Sequence, residues 1–435
     1  MSQPGRLARR APALQYRNFR LFMAGQVISQ IGTQVQTLGQ AWLVLVLTSD
    51  PFVLGLAVAI QGVPIAAFAL IGGAIADRVS KRRLIVVTQS AQLVLALVLG
   101  LLCLTGTVEV WHVLVLAFAL GCVNAVDMPT RQSFVVEMVG PDGVASAVGL
   151  GSSSYNTARL VGPAIAGLVI GAATAGMGSA VRGTGVAFVI NAVSFGAVVL
   201  GLLWMRDAEL FVIARPAASR GLGAVAREIG VGLAHVRDSK PVLVSLLAGG
   251  LISTVATNFN VLVPVLAREE LRLDAGGLGL MMSAVGIGAL VAALRVGIGG
   301  RAGPGAIVGG SLVLGVALVM TGALTPPWVV LALFAAGAGS TSMRTAVNTS
   351  VQLATPAALR GRVMSVFAIV FEGSSPIGGI LAGALAATLG GAGAFVVTGV
   401  AAVLLAVAVV PLLARATRAP AAAGPVRAGP AAPPP

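Results

Sequence analysis

Long apolar runs dominate the chain, and short polar stretches separate them. A helix needs about 20 apolar residues to cross the hydrocarbon core of a bilayer. Twelve runs reach that length, at about 20–47, 52–76, 84–105, 110–130, 145–172, 184–205, 241–267, 276–297, 304–324, 328–350, 363–389 and 393–414. The pattern predicts an all-α polytopic membrane protein with twelve transmembrane helices, spans 1 to 12, in two pseudo-symmetric six-helix bundles. The expected division is an N-terminal segment (1–19), a first bundle (20–205), a central loop (206–240), a second bundle (241–414) and a tail (415–435). Within the loop, residues 224–237 place Val225, Ile229, Leu233 and Val236 on one side of a short amphipathic helix, suited to a membrane surface. The Ala/Pro-rich tail reads as disordered.

The two halves echo one another, as in a duplicated transporter. Leu54-Gly55-Leu56 opens span 2 as Leu278-Gly279-Leu280 opens span 8. Arg159 and Glu372 each stand four residues before a proline, Pro163 in span 5 and Pro376 in span 11.

Composition agrees with the pattern, since 57% hydrophobic and 10% charged residues leave too little polar surface for a soluble globule. The net charge of +14 comes from short basic clusters between apolar runs. Such clusters are orientation signals, not a nucleic-acid footprint. With the N-terminus in the cytoplasm, about 23 of the 28 Lys and Arg residues are internal and about three (Arg182, Arg268, Arg272) external. Both termini are therefore expected in the cytoplasm. Arg6, Arg9, Arg10, Arg17 and Arg20 precede span 1, which is expected to act as its own insertion signal. The Ala, Gly, Val and Arg bias with little Lys fits a high-GC bacterial genome, and the expected location is the bacterial cytoplasmic membrane. Cys103 and Cys122 suggest neither a disulfide framework nor a metal site. Without a P-loop, an H-E-x-x-H helix or a dinucleotide fingerprint, no enzyme and no cofactor is indicated.

The hinge after span 2 reads Gly73-x-x-x-Asp77-Arg78-x-Ser80-Lys81-Arg82-Arg83. Its bases mark a cytoplasmic turn, and Gly73 is expected to admit a neighbouring helix. Asp77 is placed to meet a helix N-terminus or an arginine. This stretch resembles the G-x-x-x-D-R-x-G-R-R/K signature of the major facilitator superfamily, with Ser80 at its glycine. Asp127-x-Pro129-x-Arg131-Gln132-x-Phe134 in span 4 resembles a segment of the branch that holds siderophore and macrolide exporters. The resemblance implies that Asp127 pairs with Lys81 while Asp77 meets span 11. Gly73, Asp77, Arg78, Lys81, Arg82, Asp127 and Arg131 would then latch the two halves in an outward-facing state. In span 5, Gly149, Ala158, Gly162-Pro163 and Ala166-Gly167, with Arg159 among them, resemble the motif of proton antiporters. These small residues are expected to bring span 5 against span 8 or 11; ordinary tight packing is the competing explanation.

Gln26, Gln30, Thr33, Thr37 and Gln40 recur every three or four residues and share one face of span 1. They are expected to line a cavity. The superfamily resemblance implies that spans 1, 4, 7 and 10 line the path, which adds Asn124, Thr257, Asn258, Thr341 and Asn348. Interhelical hydrogen bonding is the alternative for each. Glu372 is read as the deep acid of the membrane region, ~13 Å from the inner end of span 11 at 1.5 Å per residue. An acid at that depth is a candidate proton carrier; an ion pair with Arg344 or Arg159, or exposure to a wet cavity, is the alternative. Either arginine is also a candidate for an anionic cargo.

The function expected is export of a small amphiphilic or hydrophobic molecule, such as a drug, siderophore or secondary metabolite, by proton antiport and alternating access. A neutral or anionic cargo fits two buried arginines better than a dication. The alternatives are an importer or uncoupled facilitator, and a non-transporting sensor or scaffold. The expected partners are the cargo, the lipid bilayer and protons, with no nucleic acid and no obligatory protein.

Overall fold

The computed structural model describes residues 12–211, 222–299 and 303–418. Among them every regular element is helical. In the first half these are α1 (Arg17–Thr48), α2 (Pro51–Arg78), α3 (Lys81–Thr105), α4 (Val110–Met177) and α5 (Ala180–Leu203). After α6 (Leu222–Asp238), the second half holds α7 (Lys240–Ala256), α8 (Phe259–Val265), α9 (Ala275–Gly299), α10 (Pro304–Ala323), α11 (Trp328–Ala354) and α12 (Arg360–Arg418). Local chemistry sets their ends. The Asp50 carboxylate accepts from the Phe52 N–H ahead of α2, with Pro51 at its first position. Gly106 closes α3 in the left-handed conformation.

Two helices each hold two predicted spans. In α4 the chain turns back at Gly140 (φ 63°, ψ 175°), followed by Pro141, and in α12 at Gly390 (φ 73°, ψ 174°). A side chain at such a φ is strained, so glycine supplies the turn without a loop. Eight helical segments of the described residues are long and apolar enough to cross a membrane, Val110–Met177 and Arg360–Arg415 counted once each. Helix α1 is not among them because its glutamines and threonines dilute its apolar character. Predicted span 7 is interrupted. Thr257 and Asn258 separate α7 from α8, and their side chains donate to the Ser253 and Thr254 carbonyls.

Glycines set the helix spacing. A Cβ at Gly72 would overlap the Ala125 and Val126 backbone of α4, and one at Gly32 the Asn191 and Ser194 side chains of α5. Expectation had assigned the close approach to Gly73, which has nothing within 4 Å. Neighbouring helix positions differ by about 100° in azimuth, so only one of the two glycines faces α4. In the second half, Gly337 abuts Val285 of α9 and Gly399 abuts Gly315 of α10. Large apolar side chains such as Leu168, Val193, Leu353 and Leu404 remain exposed around the outside, as lipid contact requires.

The halves meet along two glycine-lined crossings. Gly55 of α2 abuts Gly379 and Gly383 of α12, with Gly62 against Pro376. Gly167 in the second part of α4 abuts Ala275, Gly276 and Gly279 of α9, and Gly286 abuts Arg159 and Leu160. Both crossings lie toward the end of the molecule away from the Lys81–Arg83 cluster. That cluster marks the basic face, and the opposite end is the far face. Helix α6 packs at the basic face, where Gly232 meets Arg362 at the start of α12. Of the amphipathic positions, Val236 is buried and Leu233 exposed, and the side chain of Val225 lies outside the described residues. So do residues 1–11 of the predicted N-terminal segment, 212–221 of the loop and 419–435 of the tail.

Candidate functional site: an amide-lined cavity in the first half

The cavity of ≈ 650 Å³ is built from the first half alone. Gln26, Gln30, Thr33 and Thr37 line it along α1, and Gln40 continues the row. Asn124, Arg131 and Gln132 enter from the first part of α4, Gly151 and Tyr155 from the second. Gln61 of α2, Gln92 of α3 and Asn191 of α5 complete the polar wall, while Phe22, Ile65, Leu120 and Phe195 supply apolar surface. Eight of the lining residues are glutamines, and Arg131 is the one charged residue among them. Such a wall offers hydrogen-bond donors and acceptors to a polar cargo and almost no net charge.

Behind it runs a connected polar network. Asp127, 0% exposed, accepts from Thr88 Oγ1 at 2.6 Å and Gln89 Nε2 at 3.1 Å. Arg131 Nε lies 2.6 Å from Asp127 Oδ2, one helical turn on, and Arg131 Nη1 donates to Gln26 Oε1 at 2.8 Å. Gln92 Nε2 donates to Asn124 Oδ1 at 3.0 Å and Ser154 Oγ to Gln30 Oε1 at 2.8 Å. A buried carboxylate is tolerated because its charge is paired and shared among donors. Thr88, Gln89 and Gln92 were not expected to take part, although two amides in the apolar run of span 3 were a visible signal.

The expected latch is rearranged. Lys81 Nζ pairs with Glu137 Oε1 at 2.9 Å, not with Asp127. Asp127 lies ten residues before Glu137 in α4, ~15 Å away at 1.5 Å per residue, beyond reach of a side chain at the start of α3. Arg82 pairs with Asp207 and donates to the Leu202 and Leu203 carbonyls, which ties α3 to the chain after α5. Arg78 is exposed. Asp77 falls within α2, and its side chain lies outside the described residues.

The antiporter-like segment is split between neighbours. Gly149 has open space, Gly162 meets Gln34 of α1, and Gly167 and the Pro163 carbonyl meet α9. Arg159 stands 6.0 Å from the Tyr155 ring and makes no ion pair among the described residues.

In the second half, Glu372 is not the deep acid expected. Its side chain is 55% exposed and accepts from Arg344 Nη2 at 3.1 Å, Arg344 itself lying over the Phe371 ring. Distance along a helix fixes depth but not azimuth, and Glu372 points to an open side. The deeply buried acid is Asp127. Thr257, Asn258, Thr341, Arg344 and Asn348 are all absent from the cavity wall. Asn348 accepts from Gln352 within α11, and Thr257 and Asn258 bond back to their own helix.

Toward the far face the two halves pack against each other at the two glycine crossings. There the Arg268 guanidinium also lies 5.5 Å from the Trp42 ring, joining α1 to the segment after α8. Toward the basic face the wall at Met23, Gln132, Val135 and Ala147 belongs wholly to the first half among the described residues.

Comparison with known proteins places this architecture. The fold matches the nucleoside transporter NupG (TM-score 0.67, 15% identity, 91% of this chain and 98% of that one). It also matches a peptide transporter POT in complex with sulfate (TM-score 0.70, 15% identity, 93% and 95%). Those identities show a shared fold. The staphyloferrin A transporter of Staphylococcus aureus (strain NCTC 8325 / PS 47) is 28% identical over 152 residues, 35% of this chain. The match spans 38% of that transporter's length. The family model for transmembrane secretion effectors matches residues 9–426. The chain therefore belongs to the transmembrane secretion effector family, membrane transporters of the major facilitator type and not enzymes.

Proposed function

We propose that the protein is a secondary transporter that exports a small molecule from the bacterial cytoplasm in exchange for protons. The observation that carries this reading is the amide-lined cavity, with the two halves packed against each other toward the far face at the glycine crossings. With the basic face in the cytoplasm, as the charge bias supports, this arrangement is read as an inward-facing state ready to load. Alternating access then consists of rocking the halves about the α2–α12 and α4–α9 crossings, so that the far face parts and the basic face closes. The turns at Gly140 and Gly390 divide α4 and α12 into antiparallel pairs, which supports twelve crossings in two six-helix bundles and both termini in the cytoplasm. The partial likeness to the staphyloferrin A transporter supports a small-molecule cargo.

Proton coupling is assigned to Glu372. It is accessible and ion-paired with Arg344 at 3.1 Å. The test is proton movement in proteoliposomes when candidate cargoes are added under an imposed pH gradient. A cargo-dependent proton signal that disappears in Glu372→Gln is the expected result. Cargo flux without proton movement in either protein would make the protein a facilitator and the Arg344–Glu372 pair a structural one.

A further inference from the structure

The proposed function leaves the chemical class of the cargo open, and the wall of the cavity narrows it. Two hydrogen-bonded residues there, Arg131 and Gln26, each carry a donor without an acceptor. Arg131 Nε faces Asp127 Oδ2 in an ion pair without hydrogen-bond geometry, its Nη1 donates to Gln26 Oε1, and its Nη2 has no partner among the described residues. Gln26 is 3% exposed, and its Nε2 is buried without a partner. The orientation of this amide is fixed, because exchanging its oxygen and nitrogen would set N–H against the N–H of Arg131. An unsatisfied buried donor is costly, and such a group in a cavity marks where an acceptor belongs.

The missing acceptor is anionic. The cavity wall contains no acid, and Asp127, the nearest one identified, is fully buried behind Arg131 and turned to Thr88 and Gln89. Because Asp127 offsets part of the guanidinium charge, a group of one negative charge is matched better than a dianion. A planar carboxylate meets a guanidinium edge and an adjacent amide N–H with two oxygens in the geometry both prefer. The remaining amides, Gln61, Gln92 and Asn124, suit an oxygen-rich body.

We propose that the cargo carries a carboxylate, which binds against Arg131 Nη2 and Gln26 Nε2 in the first half. This rests on the reading of the cavity as the cargo site. Asp127 is a positioning residue that holds the guanidinium with Nη2 toward the cavity.

The test is equilibrium binding of dansylglycine and of its uncharged methyl ester to the full chain in nanodiscs, followed by fluorescence. Wild-type protein is expected to bind the acid at least about tenfold more tightly than the ester, as a charge-assisted contact of this kind supplies. Arg131→Gln combined with Asp127→Asn leaves no lone buried charge and is expected to abolish that preference. Gln26→Leu, which removes one donor and no charge, is expected to reduce it severalfold, and Arg182→Gln, an exposed arginine away from the cavity, to leave it unchanged. Equal binding of acid and ester to wild type would overturn the carboxylate assignment while leaving the cavity as the cargo site. A preference that survives Arg131→Gln/Asp127→Asn would overturn the role of Arg131. If neither probe binds, the cavity is not the cargo site and the inference falls with that reading.

Discussion

The two halves of the molecule bury different polar chemistry. Among the described residues, the first half buries Gln26, Gln36, Gln89, Gln92, Asn191 and Asp127, and these bond from helix to helix. Every buried polar side chain of the second half is a serine or threonine. Four of the eight, Ser311, Thr321, Thr355 and Thr398, donate to the carbonyl four residues back on their own helix, while Ser253 and Ser374 share the one hydrogen bond between helices among them. A hydroxyl that satisfies itself asks nothing of its neighbours, and a helix carrying it can slide. An amide or carboxylate that depends on another helix holds that helix in place. The contrast separates a preorganised half that recognises from a smoother half that moves against it.

The comparison breaks most sharply at the two internal ion pairs. Arg131→Met leaves the fully buried Asp127 uncompensated and is expected to cost about 3–5 kcal/mol. Thermal unfolding of the purified protein would show this, with most of the loss recovered by adding Asp127→Asn. The corresponding change in the second half, Arg344→Met, breaks a half-exposed pair and is expected to cost about 0–1 kcal/mol. Equal losses would erase the distinction.

The crossing between the halves comes next. Gly167→Leu forces a side chain into the backbone of α9, an overpacking worth about 1–3 kcal/mol. Because that contact exists only while the far face is closed, the population should shift roughly ten- to hundredfold toward far-face opening. Labelling of an engineered cysteine at the far end of α2 reads this shift. The loss of single hydrogen bonds gives a smaller difference. Gln89→Leu, which strips a donor from Asp127, is expected to cost about 1–3 kcal/mol, and Thr398→Val less than about 1 kcal/mol. Smallest is the Lys81–Glu137 pair at the basic face, where a double-mutant cycle should give a coupling of about 0.2–1 kcal/mol.

Much of this was legible in the chain, and the rest was not for identifiable reasons. Apolar run length gave the helices, and the spacing of Gln26, Gln30, Thr33 and Thr37 gave the α1 wall, because both depend on one helix alone. The interruption at Thr257–Asn258 and the single-residue turns at Gly140 and Gly390 were hidden inside runs that read as uniformly apolar or as ordinary loops. Pairings between helices depend on relative height and azimuth, which no single run encodes. So Gly73 was taken for the close-packed Gly72, Asp127 for Glu137 as the partner of Lys81, and Glu372 for the buried acid. The polar residues of α11 looked as suitable for a wall as those of α1. What distinguishes them is that Asn348 finds its partner on its own helix, whereas Gln26 finds one on α4.

The most direct test of the central claim is labelling of single cysteines by a membrane-impermeant maleimide, in a background where Cys103 and Cys122 are replaced by alanine. Gln30→Cys should react readily in inside-out vesicles and hardly in right-side-out vesicles, while Thr257→Cys stays slow in both. Rapid labelling of Gln30→Cys from the outside alone would contradict a cavity that opens to the cytoplasm from the first half of the molecule.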